Sequence, residues 1–540
     1  MARSRMLLAA LLAIGALRVA TLGAIPLIDK SEARYAEIGR QMVVTGDWSM
    51  PQLEPGHPYW GKPPLHFWAT AASLRALGFS EFAARLPSLL GAFLVLFATQ
   101  RVARRLRGAE VGWLACLILA SSGLFFTLAA QVALDLTLTA CSSVALGSFF
   151  LAHGQPDPRR ARLLHWLGFL ALGAGLLAKG PVLVALWAGT LALACVLAGD
   201  LRWLRGVPWV SGGVLAAGVG LPWFLVAERS YPGFLWYFFV NENFLRFVVS
   251  EYGDRYGHGH SLPYGTIWGF ALLALMPWSL ALLVLLWRGL RTGGLARLRR
   301  DPERSFLWAW SLAPLIFFTP SRNLVVTYAL PALPAIAVLL AGALLPREGS
   351  REEAERATTS PGLAAGLLAG GALVLLVVAV GLAVFARRVP VPGSTLALLG
   401  GLLLASAALL AACARDTRRL IVATALCIPW LDAGGRALLA DQIGALTSSR
   451  ELMAASSQRD RGCELAFFRD VPYSASFYGF QGVSLEGNSA RLPPLVNAPA
   501  CRLLAVRRRD LRHLDEEALT GLHRVRGFGG YVLFGNAAAG

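Results

Sequence analysis

Four clusters of ionisable residues interrupt an otherwise apolar chain. The first, DKSEARYAE, carries Asp29, Glu32, Arg34, Tyr35 and Glu37, and the second, HPYWGKPPLHFW, carries His57, Tyr59, Lys62 and His66. The third is Asp135, alone in QVALDLTLT, and the fourth runs from NENFLRF to GHGH with Glu242, Arg246, His258 and His260. Ionisable groups beside a membrane are costly and usually functional. Carboxylates among cations suit a reaction in which one group takes a proton while others neutralise a leaving anion. Of the 50 basic residues only Lys30, Lys62 and Lys179 are lysines, and the rest are arginines. A compact ammonium holds phosphate as a point charge. Lys62 foremost, then Lys179, with Arg34, Tyr59, Arg246 and Arg322, are therefore the candidate phosphate ligands, and Asp29, Glu32 or Asp135 the candidate base.

Each residue also has a plainer reading. Three lysines can fall where they do by chance. Asp135 at a helix start can serve as an N-cap, and Asp29 and Glu32 can be solvated loop charges. Glu242, His258 and His260 offer the donor types of a zinc site, so a divalent metal is one reading, but His-Gly-His is equally an open loop. No phosphate-binding G-x-x-x-x-G-K-[ST] and no G-x-G-x-x-G after a strand occurs, so nothing points to ATP or a dinucleotide. Energy for a reaction must then come from the donor itself.

The elements that position these residues are membrane helices. The chain is 56% hydrophobic and 15% charged, with a mean hydropathy of +0.56, whereas soluble domains carry roughly 25% charged residues. Thirteen apolar runs, most near the length of a bilayer crossing, recur from Met6–Ile28 to Leu420–Leu431. A signal peptide at the start is disfavoured because no small-residue cleavage site precedes Asp29, which leaves a retained first helix. The net charge of +18 does not mark a nucleic-acid binder, because the arginines sit in every second loop: 101–107, 159–162, 202–205, 297–300, 347–356 and 415–419. The positive-inside rule places these loops and the N-terminus in the cytoplasm. Residues 29–81 and 228–262, rich in acids and aromatics, then lie outside with the C-terminus; Arg387 and Arg388 are the exception.

Residues 1–431 are thus expected to form an all-α polytopic membrane domain, and 432–540 a small exported α/β domain. CELAFF from Cys463, CRLLAV from Cys501 and YVLF from Tyr531 read as strands, and Asp510–Leu522 as a helix. Ala33–Val44 has the spacing of an amphipathic helix closed by Gly46. Five cysteines lie in predicted membrane helices. Cys463 and Cys501 open strands of an exported domain, where disulfides persist, so a bridge between them is expected, with two buried free thiols the alternative.

At these residues the chain resembles a known family. DKSEARYAEIGRQMVVTGDWSMPQL, YWGKPPLHFW, SEFAARLPS, ALD at Asp135, LAKGPV, NENFLRF with GHGHSLPY, and SRNLVVTYALPALP look like bacterial aminoarabinose transferases, relatives of protein mannosyltransferases in the GT-C superfamily. The resemblance implies about thirteen membrane helices with an exported α/β domain, and a polyprenyl-phosphate sugar as donor. It further implies that the acids before RYAE and the aspartate of ALD are catalytic or orient the acceptor, and that the lysine of KPPL binds the donor phosphate. Two departures stand out. Many relatives pair Asp and Glu directly before RYAE, where this chain has Ser31 and Glu32 with Asp29 earlier. Zinc-binding relatives tend to have glutamate before the KPP lysine, where this chain has Gly61.

The expected activity is an inverting transfer of a sugar from a polyprenyl-phosphate carrier to a lipid A, glycan or protein acceptor at the outer face of a bacterial inner membrane. A multi-pass lipid or sugar transporter is the alternative, although no repeated halves of the kind common in transporters are visible.

Overall fold

The computed structural model of the chain describes residues 2–249, 253–254, 256–291, 299–345, 361–459, 464–469, 471–479, 483–486, 501–514 and 521–536. All thirteen apolar runs lie on helical stretches. Among the described residues, eight helices are long and apolar enough to cross a membrane, or nine when Thr266–Leu275 and Ser279–Arg291, bent by 116°, count as one span. The chain is a multi-pass membrane protein. Ala2–Ala20, Val182–Ala198 and Pro302–Phe318 are further unbroken apolar helices, and breaks elsewhere follow the sequence. Ser121, Ser122 and Gly123 split one into Ala109–Ala120 and Gly123–Leu128. Pro331 lies in a 3-10 turn, Val326–Ala332, at the start of another, as expected where a prolyl ring replaces an amide N–H.

The helices that reach the polar clusters pack through small residues. Leu134–Ala152 lies against both Glu81–Arg107 and Pro158–Lys179. Where Pro158–Lys179 crosses Trp209–Ser230, a Cβ on Gly173 would stand 2.6 Å from the Ala216 carbonyl oxygen, and one on Gly220 2.7 Å from Leu176 Cδ1. Glycine here lets two backbones approach, as small residues do between membrane helices, and it fixes the helix that ends in Lys179.

Between the first helix, α1 (Ala2–Ala20), and the next crossing lies a folded loop. It holds α2 (Ser31–Thr45), strands β1 (Gln52–Glu54) and β2 (His57–Pro58), and α3 (Leu65–Leu77), followed by α4 (Glu81–Arg107). Gly46 closes α2 at φ +73°, a left-handed conformation that glycine adopts without strain. A short pair, β3 (Gly253–Asp254) and β4 (Gly257–His258), occupies the second long loop.

The membrane part runs further than the sequence boundary at 431, because helix Thr417–Leu438 continues through it. Beyond it stand β5 (Glu464–Phe468), β6 (Val483–Glu486), β7 (Arg502–Arg507), β8 (His523–Phe528) and β9 (Tyr531–Gly535), in the order β6-β5-β7-β9-β8. β5 runs parallel to β6 and β7, and β9 antiparallel to β7 and β8. Leu465, Phe467, Leu503 and Ala505 are buried on one face, and Ala466, Phe468, Leu504 and Val506 on the other, the two-residue alternation of strands covered on both sides. β6 and β8 were not anticipated; HRVRGF carries too many charges to read as a strand. A 3-10 turn, Arg508–His513, stands where a helix from Asp510 was expected. Cys501 is disulfide-bonded, and the cysteines at 116, 141, 195, 413 and 427 are free thiols. The expected partner, Cys463, lies outside the described residues.

Candidate active site

Two partly buried lysine–carboxylate pairs face one cavity of about 490 Å³. The first pair begins at the β1–β2 hairpin. The Tyr59 N–H donates to the Pro51 carbonyl at 2.7 Å, and the Trp60 N–H to the Tyr256 hydroxyl at 2.7 Å. This bends the chain so that Lys62 reaches Glu242, to which its ammonium donates. Glu242 sits in a π-helical turn, Tyr237–Leu245, a local irregularity frequent at functional sites. Its second oxygen accepts from Arg246 Nη1 at 2.9 Å, and its side chain is only 4% exposed.

The second pair joins two helix ends. Lys179 closes Pro158–Lys179, Gly180 follows at φ +83°, and a Cβ on Gly180 would meet Phe238 at 2.7 Å. The ammonium donates to Asp135 Oδ1 and lies 4.5 Å from the centroid of the Tyr328 ring. Asp135 is in the first turn of Leu134–Ala152, but the cap position is Ala133, with no side-chain cap. The N-cap reading is therefore not the one adopted. Oδ2 of Asp135 takes no hydrogen bond among the described residues.

Glu32, Arg34, Tyr59, Lys62, Asp135, Lys179, Glu242 and Arg246 all line the cavity. Arg34 is sheathed by rings, its guanidinium carbon 5.2 Å from the centroid of Tyr35 and 5.6 Å from that of Tyr59. Burial raises the Tyr59 hydroxyl well above the usual phenol range, so it is a neutral donor. His66 lies behind Asp135, its Nδ1 2.8 Å from Thr137 Oγ1. Burial pushes its pKa down to about 4.

The remaining candidates are placed differently. Glu32 has both oxygens engaged: Oε1 accepts from Arg85 Nε at 2.8 Å and from the Val132 N–H, and Oε2 from Arg85 Nη2 and the Ile28 N–H at 2.9 Å. Arg85 also donates to the Leu22, Ile25 and Pro26 carbonyls. Glu32 is thus the buried counter-ion of Arg85, neither a solvated loop charge nor an open base. Asp29 is not among the cavity-lining residues; its Oδ1 accepts from the Ser474 N–H at 3.0 Å and its Oδ2 from the Ser474 hydroxyl at 2.5 Å. Burial, opposed by these bonds, raises its pKa. Arg322 does not line the cavity and donates to the Leu262 carbonyl at 3.2 Å, and its neighbour Asn323 lines the cavity instead. Sequence reading missed Asn323 and Tyr328, although both lie in the SRNLVVTYALPALP motif.

Glu242 is held between Lys62 and Arg246, and no group of three His, Cys, Asp or Glu side chains comes together among the described residues. His260 is exposed, and the His258 side chain lies outside the described residues. At Gly61, just before the KPP lysine, a Cβ would stand 2.8 Å from the Tyr59 ring and hydroxyl. A larger residue there requires Tyr59 to move.

Residues 1–238 match the family of dolichyl-phosphate-mannose-protein mannosyltransferases. Across its whole length the chain superposes on the apo crystal structure of ArnT from Cupriavidus metallidurans with a TM-score of 0.77 at 20% identity, covering 100% of this chain and 99% of that one. The chain shares the fold of that structure. The same protein bound to undecaprenyl phosphate superposes with a TM-score of 0.76 at 20% identity over 98% of each chain. Two curated relatives are named undecaprenyl phosphate-alpha-4-amino-4-deoxy-L-arabinose arabinosyl transferase. The one from Aeromonas salmonicida is 33% identical over 324 residues, 58% of this chain and 56% of its own length. The one from Pseudomonas aeruginosa is 32% identical over 328 residues, 58% of this chain and 55% of its own. The matched region thus spans about half the length of these relatives.

Proposed function

We propose that the chain is a membrane glycosyltransferase that takes a sugar from a polyprenyl-phosphate carrier and transfers it to a lipid A, glycan or protein acceptor. The observation that carries this reading is the one cavity that Lys62, Arg246 and Arg34 line together with Asp135. The arginine-rich loops favour an orientation with the N-terminus in the cytoplasm, and with the cavity and the sheet domain on the outer face of a bacterial inner membrane.

The mechanism follows from the roles these groups are able to fill. The acceptor oxygen attacks the anomeric carbon, its proton passes to Asp135 Oδ2, and the bond from that carbon to the phosphate oxygen breaks with its electron pair on the phosphate. Lys62 and Arg246, already held by Glu242, supply fixed positive charge where the leaving phosphate develops its own. Arg34 adds a planar donor fork suited to phosphate oxygens. Lys179 orients Asp135 through Oδ1 and leaves Oδ2 for the acceptor. No step runs through a metal.

Label transfer from radiolabelled polyprenyl-phosphate sugars by the full chain in lipid tests the reading. Asp135→Asn is expected to lower turnover by about a hundred- to ten-thousand-fold, the range for a general base, without loss of fold. Wild-type protein that moves labelled lipid across the bilayer yet never releases the sugar from its carrier would be a transporter, and the proposal would be wrong.

A further inference from the structure

The segment FFRDVPYSASFYGF, at the start of the sheet domain, has no role in the mechanism above. It forms a short helix, Tyr473–Tyr478, that lies on α2 and not on open surface. Ser474 donates its N–H and hydroxyl to the two oxygens of Asp29, two residues before α2 begins, and its hydroxyl oxygen accepts from the Ser449 N–H at 2.9 Å. At the far end of the helix, the Tyr478 hydroxyl donates to Glu81 Oε1 at 2.8 Å and accepts from the Leu27 N–H at 2.9 Å. Between them Phe477 is buried in one apolar cluster with Leu27, Ala33 and Ala36. The sheet domain thus grips the N-terminus of α2 by charge, hydrogen bond and packing.

Tyr473 carries this grip to the cavity. Its ring centroid is 5.8 Å from the Arg34 guanidinium carbon, the third ring around that group after Tyr35 and Tyr59. Arg34 Nε is buried with no hydrogen-bond partner among the described residues, so the rings hold the guanidinium on that side. An arginine side chain loses much rotamer freedom when fixed, and a site that fixes it before the ligand arrives binds more tightly.

We infer that Tyr473 is a positioning residue for the donor phosphate: with Ser474 clamped on Asp29, it holds Arg34 in the cavity, so the C-terminal domain completes the donor site. This rests on the donor reading proposed above. Nothing in the inference needs Tyr473 to touch the donor.

Equilibrium binding of undecaprenyl phosphate to the full chain in nanodiscs, paired with thermal unfolding, tests it. Tyr473→Leu is expected to raise Kd by about two- to thirty-fold, the span of a cation–π contact from exposed to desolvated. Tyr473→Phe, which keeps the ring, is expected to restore wild-type affinity. In an Arg34→Ala background, Tyr473→Leu is expected to add nothing, because a double-mutant cycle removes effects that pass through the partner. Should Tyr473→Leu fail to fold, Ser474→Ala loosens the same clamp and is expected to raise Kd. An unchanged Kd in the folded variants, or losses that simply add to that of Arg34→Ala, overturns the inference. Folded wild-type protein that does not bind undecaprenyl phosphate instead overturns the donor reading and this one with it.

Discussion

Replacing Glu32 by alanine separates a structural acid from a catalytic one. In the folded chain its carboxylate accepts from two Arg85 nitrogens and two backbone N–H groups, and the Arg85 side chain is 0% exposed. Truncation leaves a buried guanidinium without its counter-ion, and breaking such a pair costs about 3–5 kcal/mol. Glu54, exposed on β1, is the control, since surface substitutions stay within about 0.5 kcal/mol. Unfolding midpoints in detergent, followed by tryptophan fluorescence, should fall well below wild type for Glu32→Ala and stay put for Glu54→Ala. Removing both charges with Glu32→Leu and Arg85→Met should recover much of the loss, because apolar replacement of a buried pair is often neutral. Turnover per folded molecule should survive within tenfold. Wild-type melting together with abolished turnover in Glu32→Ala would refute the reasoning and return Glu32 to the role of base.

Other outcomes follow from the same geometry. Lys62→Met, which removes one charged donor from the cavity, should weaken undecaprenyl phosphate binding by roughly ten- to a hundredfold, the equivalent of about 1.5–3 kcal/mol for a charged hydrogen bond, and should flatten its salt dependence; an unchanged Kd excludes Lys62 from the phosphate site. His66, held to about 4 by burial against about 6.5 unfolded, stays neutral in the fold while the unfolded chain gains a proton. Its contribution should be lost as pH falls from 6.5 toward 4, by up to about 3 kcal/mol, and His66→Phe should flatten that slope in an unfolding series. Cys501→Ser removes a disulfide, typically worth about 2–4 kcal/mol. Limited proteolysis should then cut the C-terminal domain sooner, with the membrane part resisting as before; equal protection in both forms counts against a stabilising bridge.

Much of this was legible in the chain itself. Apolar runs of bilayer length, arginines in alternate loops and the spacing of Ala33–Val44 fixed the helices and the loops between them, because hydropathy and side-chain period are local properties. Residue type marked Lys62, Lys179, Asp135, Glu242 and Arg246, since a charge beside a membrane has few reasons to be there. Their pairing was not legible: Lys62 finds Glu242 180 residues away, and Lys179 finds Asp135 44 residues away. The acids before RYAE show the limit most clearly. Asp29 and Glu32 looked interchangeable as bases, yet Arg85 claims one from 53 residues along the chain and Ser474 the other from 445. A carboxylate becomes a base, a counter-ion or a clamp according to which donors the fold sets against its oxygens, and those donors come from packed helices and a docked domain. The sequence determined which residues carry charge and which helices carry them, through composition and period. Only the tertiary structure decided which oxygen stays free for chemistry, because that depends on distances between segments far apart in the chain.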